Sequence, residues 1–223
     1  MNNTPENKSN TQIPAVSSAV IRRLPRYYRY LRELIRNGQS RISSSELSKL
    51  MQVTASQIRQ DLNCFGGFGQ QGYGYNVNYL FAKISEILGV GEGYRGIIVG
   101  AGNLGKALIH NGIFERRGVD IIAMFDIDPN VIGKTFEGVT VHSMDELESF
   151  CAENPVEIAV LTLSKESVEE AVVRLENAGI SGMWNFTGRE LQFSKDTACE
   201  NVYLGDSLMT LCYEIRSKNK LPE

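Results

Sequence analysis

The sequence predicts an α/β protein of two units: a small amino-terminal helical unit ending in a glycine-rich ribbon, and a larger unit in which helices alternate with strands of a parallel sheet. Three observations predict it. Residues 1–85 hold eleven Lys or Arg against four Asp or Glu, 11 − 4 = +7, whereas residues 86–223 hold twelve against twenty-two, 12 − 22 = −10. Up to Leu88 the apolar spacing is helical; beyond it, short apolar runs alternate with helical stretches. Between the two patterns lie Gly89, Gly91 and Gly93, the composition of a linker. At 223 residues there is room for one sizeable domain and a small one.

Residues 1–12 are polar, lack periodicity and are expected to be disordered. From Ser18, Val20, Leu24, Tyr27, Leu31 and Leu34 form a helical stripe, with Arg22, Arg26, Arg29 and Arg36 mostly on another face. Pro25 either kinks this helix or starts its main body, and Gly38 closes it. Ser43 to Ser45 offer N-caps for a short helix over Glu46 to Met51, and Thr54 with Gln57 forms a T-x-x-Q capping box for the helix after it. Two short helices separated by Gln52, Val53 and Thr54 have helix-turn-helix spacing. GGFGQQGYGYNV then suits a tight two-stranded ribbon, so the unit reads as a winged helix, closed by a helix over Asn78 to Leu88.

In the second unit the predicted strands are Gly96 to Val99, Asp120 to Phe125, Thr140 to His142, Glu157 to Leu163 and Gly182 to Phe186. The helices are Leu104 to Ile113, Asp145 to Glu153 and Lys165 to Ala178, with Ser143 and Glu146 as a further capping box. This order predicts a Rossmann-type doubly wound sheet. A last helix, Leu204 to Ser217, puts Leu204, Leu208, Leu211 and Ile215 on one stripe after the sheet is complete, and so needs something to pack against.

Composition excludes several classes. With 42% hydrophobic and 22% charged residues the chain can bury a core. No apolar run approaches the roughly 18 residues of a membrane span, and the start has neither a basic nor an apolar leader region, so no membrane partner and a cytoplasmic location are expected. Cys64, Cys151, Cys199 and Cys212 show no metal-site spacing, and buried reduced thiols are expected, with no metal.

The strongest local signal is RGIIVGAGNLG: Gly100, Gly102 and Gly105 form G-x-G-x-x-G between an apolar strand and a helix. Asp126 lies 126 − 105 = 21 residues beyond the third glycine, where a ribose-binding carboxylate belongs. Gly100 permits the turn, Gly102 lets backbone approach a pyrophosphate, Gly105 packs helix on strand, and the helix N-terminus faces the anion. An acidic residue with no arginine after it favours NAD(H) over NADP(H). A Rossmann-like turn holding no dinucleotide, or coenzyme A, is the alternative. In the basic unit Arg59, flanked by Gln57 and Gln60, sits mid-helix where side chains reach base edges. Arg22, Arg26, Arg29 and Arg41 suit phosphates, and Gln70 or Gln71 a minor groove; a solvated basic face is the alternative. No catalytic set accompanies the dinucleotide motif: His110 and His142 read as structural or exposed, and the Tyr79–Lys83 spacing of short-chain dehydrogenases falls before the glycine motif instead of after it. The chain therefore reads as binding a dinucleotide without transforming it, and a compact NAD-dependent oxidoreductase with an added interaction domain is the competing reading.

IRRLPRYYRYL, VTASQIRQDLNCFGGFGQQGYGYNV, IIVGAGNLGKAL, FDIDP and GISGMWNFT, in this order from about Ile13 to Ile215, resemble the Rex family of bacterial redox-sensing transcriptional repressors. The resemblance implies a homodimer whose winged-helix domains bind an AT-rich inverted-repeat operator in double-stranded DNA. It also implies Rossmann domains that sense the NADH to NAD+ ratio, a last helix exchanged between subunits, and release of the operator by NADH. The implied organisation is a disordered start (1–12), a winged-helix domain (13–88), a Rossmann domain (89–203) and a dimerisation helix with tail (204–223). The implied nucleotide set is Gly100, Ala101, Gly102, Asn103, Leu104, Gly105, Asp126, Asp128, Thr162 and Asn185. The implied DNA set is Arg22, Ser56, Gln57, Arg59, Gln60, Gln70, Gln71 and Tyr73. Asn103, Asn111 and Tyr203 depart from the arginine, tyrosine and acidic residue that form a cross-subunit switch in many members, and Gln60 and Gln71 stand where basic residues are common.

Overall fold

The structure, a computed structural model, describes residues 16–66, 69–70 and 74–218. The expectations for residues 1–12, Gln71 and Tyr73 lie outside the described residues, and Gln70 is described by its backbone alone. The chain divides into two compact units after Val90.

In the first unit a short helix α1 (Ser18–Ile21) precedes α2 (Leu24–Arg36), and Pro25 stands in the first turn of α2, where its missing N–H costs nothing. The open choice at Pro25 thus resolves as a helix start. Leu24, Tyr27, Leu31 and Leu34 of α2 are buried in one core with Leu47, Met51, Ile58, Leu62, Leu80 and Ile84. After strand β1 (Arg41–Ile42), α3 (Ser44–Met51) is entered through a complete capping box: the Glu46 amide donates to Ser43 Oγ at 3.1 Å and the Ser43 amide to Glu46 Oε2 at 2.8 Å. The Ser43 amide and then the Ser43 hydroxyl, which also donates to Glu46 Oε2, hold the Glu46 carboxyl below the usual range. Gln52 takes a left-handed turn (φ 52°) and α4 (Ala55–Asn63) follows. Its box is only half formed. The Gln57 amide N–H donates to Thr54 Oγ1 at 3.1 Å, but the Gln57 side chain is drawn to Asp61. Strands β2 (Gly69–Gln70) and β3 (Gly74–Asn76) make the ribbon, antiparallel in the order β1-β3-β2, and α5 (Val77–Ile87) closes the unit, capped by Asn76. Gly74 is obligatory: its φ is +69° and a Cβ there would lie 2.7 Å from the Ile42 carbonyl oxygen.

The second unit contains β4 (Tyr94–Val99), α6 (Asn103–His110), β5 (Val119–Asp126), β6 (Thr135–Phe136), β7 (Val139–Ser143), α7 (Leu147–Glu153), β8 (Ile158–Leu161), α8 (Val168–Asn177), β9 (Gly182–Asn185), β10 (Ala198–Asn201) and α9 (Leu204–Lys218). The sheet order is β10-β9-β8-β4-β5-β7-β6, parallel except for β6. Period-two alternation sends Ile97 and Val99 into one buried layer and Ile98 into the other, as a sheet covered on both faces requires. The chain order reverses direction between β4 and β8, which places a crevice at their carboxyl ends.

Three expectations are corrected. Strands β1, β6 and β10 were not predicted. Ser143 Oγ accepts from the Asp145 amide at 3.2 Å instead of completing a box, because Glu146 is held at the His142 ring, 3.1 Å away; a 3-10 turn results and α7 starts at Leu147. The thiols are not uniformly buried: Cys64 and Cys212 are exposed, and Cys151 and Cys199 are partly so. The α9 stripe keeps the predicted spacing and, as its position after the sheet implies, finds no core among the described residues, with Leu204 63% and Leu208 61% exposed.

The segment between β9 and β10 is irregular but pinned. Buried Asn185 donates Nδ2 to the Arg189 carbonyl and Asn201 Oδ1, both at 2.7 Å, and accepts from the Thr187 amide and hydroxyl. Glu176, on α8, accepts from the amide and hydroxyl of Ser194, the Lys195 amide and the Thr197 hydroxyl. The Ser194 donors lead in pulling its carboxyl down to about 2. Its contribution to stability is therefore complete above the ordinary carboxyl range near pH 4.5 and disappears as pH falls toward 2.

Candidate functional site

The glycine loop is built at the switch point by close backbone approach. Gly100 (φ +104°) turns the chain out of β4, donating its N–H to the Phe125 carbonyl at 2.8 Å. Thr162, just past β8, lies against it: its amide donates to the Val99 carbonyl at 2.9 Å and its hydroxyl to the Gly100 carbonyl at 2.7 Å. A Cβ on Gly100 would meet the Thr162 backbone at 2.9 Å, and one on Gly105 the Gly100 carbonyl oxygen at 2.3 Å. Gly102 is the opposite case, since nothing lies within 4 Å of a Cβ there. It caps α6 without a side-chain bond, leaving the first-turn N–H groups of that helix and its positive dipole end for an anion.

Asp126 ends β5 beside this loop. Its Oδ2 accepts the Ala101 N–H at 2.6 Å, while Oδ1 accepts the amides of Ile127 and Asp128 at 2.8 and 2.9 Å. The carboxylate thus joins the glycine loop to the strand end. Asp128 is exposed, and the Asn130 amide and side chain hold its carboxyl below the usual range. Gly100, Ala101, Gly102, Asn103, Leu104, Gly105, Asp126 and Thr162 are therefore brought together at the ends of β4, β5 and β8. Asn185 ends β9, but both its oxygen and its amide are committed to protein partners. The histidines pair elsewhere, His110 with Glu137 and His142 with Glu146. Among the described residues no cluster of His, Cys, Asp or Glu could hold a metal.

On the first unit, α4 turns one face outward. Ser56, Arg59, Gln60, Asn63 and Cys64, spaced for a single helical stripe, line an open concavity of about 490 Å³. Asn63 was not among the predicted contact residues, although its spacing from Ser56 and Arg59 was a usable signal. Arg59 donates to Ser44 Oγ at 3.2 Å. The inner face of α4 is fixed by a buried carboxylate. Asp61 Oδ1 accepts from Arg23 and Gln57, and Oδ2 from Arg23 and Tyr27, at 2.7–3.0 Å. Burial alone would raise the Asp61 carboxyl, but the bonds from Arg23, Gln57 and Tyr27 and the Arg23 charge outweigh it and hold it low. Burial first and then the Asp61 charge push the Tyr27 hydroxyl far above its ordinary value.

Not every predicted phosphate ligand is available. Arg22 is exposed at the end of α1, whereas Arg26 donates to the Met51 carbonyl at 2.6 Å and so ties α2 to the end of α3. Arg29 is exposed and lies over the Tyr30 ring, and Arg41 is exposed on β1.

Both units have counterparts in known proteins. Residues 15–63 match the family described as "Putative DNA-binding protein N-terminus", and residues 91–188 the family described as CoA binding domain. The chain is 49% identical over 203 residues to the redox-sensing transcriptional repressor Rex of Thermoanaerobacter sp. (strain X514), covering 91% of each chain. The same repressor of Clostridioides difficile (strain 630) is 49% identical over 198 residues, 89% of this chain and 94% of the relative. Among solved structures, RSP in complex with beta-NAD+ and operator DNA has a TM-score of 0.86 at 48% identity, covering 92% of this chain and 94% of that one. RSP in complex with beta-NADH has a TM-score of 0.85 at 45% identity, over 92% of this chain and 96% of that one. With identity of this order across nine-tenths of its length, the chain belongs to the Rex family of redox-sensing transcriptional repressors.

Proposed function

We propose that this chain is a DNA-binding repressor that senses the NADH to NAD+ ratio: a homodimer that holds an AT-rich inverted repeat through α4 and releases it when NADH occupies the loop between β4 and α6. The observation that carries the reading is that relatives matching both units in one chain have been crystallised with NAD+ and operator DNA, and with NADH. The residues fit the nucleotide. The uncapped start of α6 suits a pyrophosphate, open Gly102 allows its approach, and Asp126 accepts ribose hydroxyls while repelling a 2′-phosphate. NADH supplies the redox signal when bound; the protein supplies only selective binding. For NADH to release the operator it must bind the DNA-incompatible state more tightly than the DNA-bound one.

The apolar α9 stripe supports a two-fold partner, which in turn presents two α4 helices to two half-sites. The winged helix spanning 13–88, the nucleotide domain spanning 89–203 and the helix from 204 onward divide the labour. No described helix is long and apolar enough to cross a membrane, and a cytoplasmic location follows from action on DNA. In this reading Gln70 or Gln71 meets the minor groove, Tyr73 belongs to the DNA contact set, and Arg22 meets a phosphate.

The test is binding to a labelled AT-rich inverted repeat, titrated with NADH, NAD+ and NADPH at one salt concentration. Release by NADH alone is expected; binding indifferent to all three contradicts the sensor, and turnover of NAD+ with a small alcohol or hydroxy acid would favour an oxidoreductase. Arg59→Ala is expected to weaken operator binding by about 1–3 kcal/mol with NADH affinity unchanged. Equal losses of both would point to a folding defect instead. Asp126→Ala is expected to weaken NADH binding, measured by fluorescence titration, while ligand-free protein still binds DNA; unchanged NADH affinity would misplace the ribose site.

A further inference from the structure

Gln57 lies in the first half of α4, where a helix-turn-helix reader meets base edges, and its amide could in principle read adenine. Bidentate reading needs its N–H group and its oxygen together. Here one of the two Nε2 hydrogens is engaged: Nε2 donates to Asp61 Oδ1 at 2.8 Å, which aims the amide at the buried carboxylate, and Gln57 is half-buried while Ser56, Arg59 and Gln60 are exposed. Asp61 is fully buried, and its two oxygens accept four bonds, two from Arg23 at the head of α2, one from Tyr27 within α2 and one from Gln57. A bond to a buried, ionised carboxylate is charge-assisted and stronger than the neutral bond a base edge offers. Swinging Gln57 toward DNA would exchange the stronger bond for the weaker and remove a donor from a buried charge.

We propose that Gln57 is a positioning residue, not a base reader: with Arg23 and Tyr27 it completes the Asp61 network that locks α4 onto α2, and base reading falls to the outer stripe Ser56, Arg59, Gln60 and Asn63. The inference rests on α4 being the operator-contacting helix. It assigns Gln57 to the group that fixes the rotation of α4 about its own axis, since Asp61 lies one turn on from Gln57 on the same helix and its other partners, Arg23 and Tyr27, stand at the head of α2 and within it.

The experiment measures affinity for the operator and for a panel carrying every single base-pair change, using full-length Gln57→Ala, Gln57→Lys and Arg59→Ala. Gln57→Ala is expected to weaken binding to every member of the panel by one common factor, with the order of preference and the NADH affinity unchanged. Gln57→Lys restores a donor to Asp61 but offers the bases a different group, so it is expected to regain affinity and keep the parental preference. A loss in Gln57→Ala concentrated at one base pair, on the order of 10-fold or more, overturns the proposal, as does a new preferred base in Gln57→Lys. Arg59→Ala separates the two levels of failure. If it too leaves operator binding unchanged, α4 is not the contacting helix and the underlying reading fails; if it impairs binding while Gln57→Ala shifts preference, only the positioning role fails.

Discussion

Asp61→Ala is expected to destabilise the amino-terminal unit by about 3 kcal/mol and to abolish operator binding, leaving NADH affinity in place. The Asp61 carboxylate is fully buried and accepts four bonds, so its removal strands the Tyr27 hydroxyl in the core and leaves the Arg23 guanidinium, with 27% of its side chain exposed, without its counter-charge. Breaking a buried pair from one side costs about 3–5 kcal/mol; the exposure of Arg23 places the estimate at the lower end. In a unit of this size each kcal/mol moves the midpoint by roughly 4–8 °C, so thermal unfolding should show an early transition more than about 10 °C below that of the parent. The pH dependence has a definite sign. The folded Asp61 carboxyl sits below its ordinary value, so its contribution is present above pH ~4 and is lost as pH falls through the folded value. Parental stability falling on acidification, with a flatter profile in Asp61→Asn, is the expected pair of curves. A parent and variant that unfold together at neutral pH would show that the network adds nothing.

The second large effect is on the nucleotide. Gly105→Ala places a methyl group 2.3 Å from the Gly100 carbonyl oxygen and 3.1 Å from Thr162 Oγ1, and backbone cannot be moved aside as a flexible side chain can. Helix α6 must lift off β4, and the Gly100 turn goes with it. Overpacking of this kind costs about 1–3 kcal/mol, and passed on in full to the ligand the upper figure is a loss of NADH affinity on the order of 100-fold. Gly102→Ala provides the contrast, because its added methyl meets no protein atom within 4 Å. Its stability should match the parent, and any affinity it loses reports ligand backbone approach alone. Calorimetric titration of both variants checks the pair; parental NADH affinity in Gly105→Ala would refute the close-packing role.

What the sequence disclosed and what it withheld divide along the range of the interactions. Gly100, Gly102, Gly105 and Asp126 were legible because the turn, the helix start and the strand end that they serve lie within one β-α-β stretch. The helices of the first unit were legible for the same reason, since Ser43, Thr54 and the apolar stripes act over one or two turns. Asp61 and Glu176 were not. Each sits in a helix whose pattern reads an acid as solvated, and each is buried by partners far along the chain, Arg23 in one case and Ser194 to Thr197 in the other. The half-formed Thr54 box is the local trace of that distant pairing. Strand β10 escaped notice because Ala198 to Asn201 alternate in no useful way; parallel register with β9, Ala198 opposite Gly182 and Asn201 opposite Asn185, makes the strand. The exposed Cys212 follows from α9 itself, whose apolar residues suggested burial that this chain alone does not provide.

The pinning of the irregular segment by Glu176 and Asn185 bears on how the sheet comes apart. An edge strand held only by its ladder frays residue by residue, whereas β10 is tied from both sides, Asn201 to Asn185 and the preceding Ser194 to Thr197 to Glu176. Its amides and those of the segment before it should therefore exchange with solvent deuterium in a single correlated step, as one foldon. Because only Val202 and Tyr203 separate β10 from α9, that opening also frees the base from which α9 projects. The least regular stretch of the second unit is thus its cooperative hem, and the lifetime of that hem sets how long α9 keeps a fixed origin.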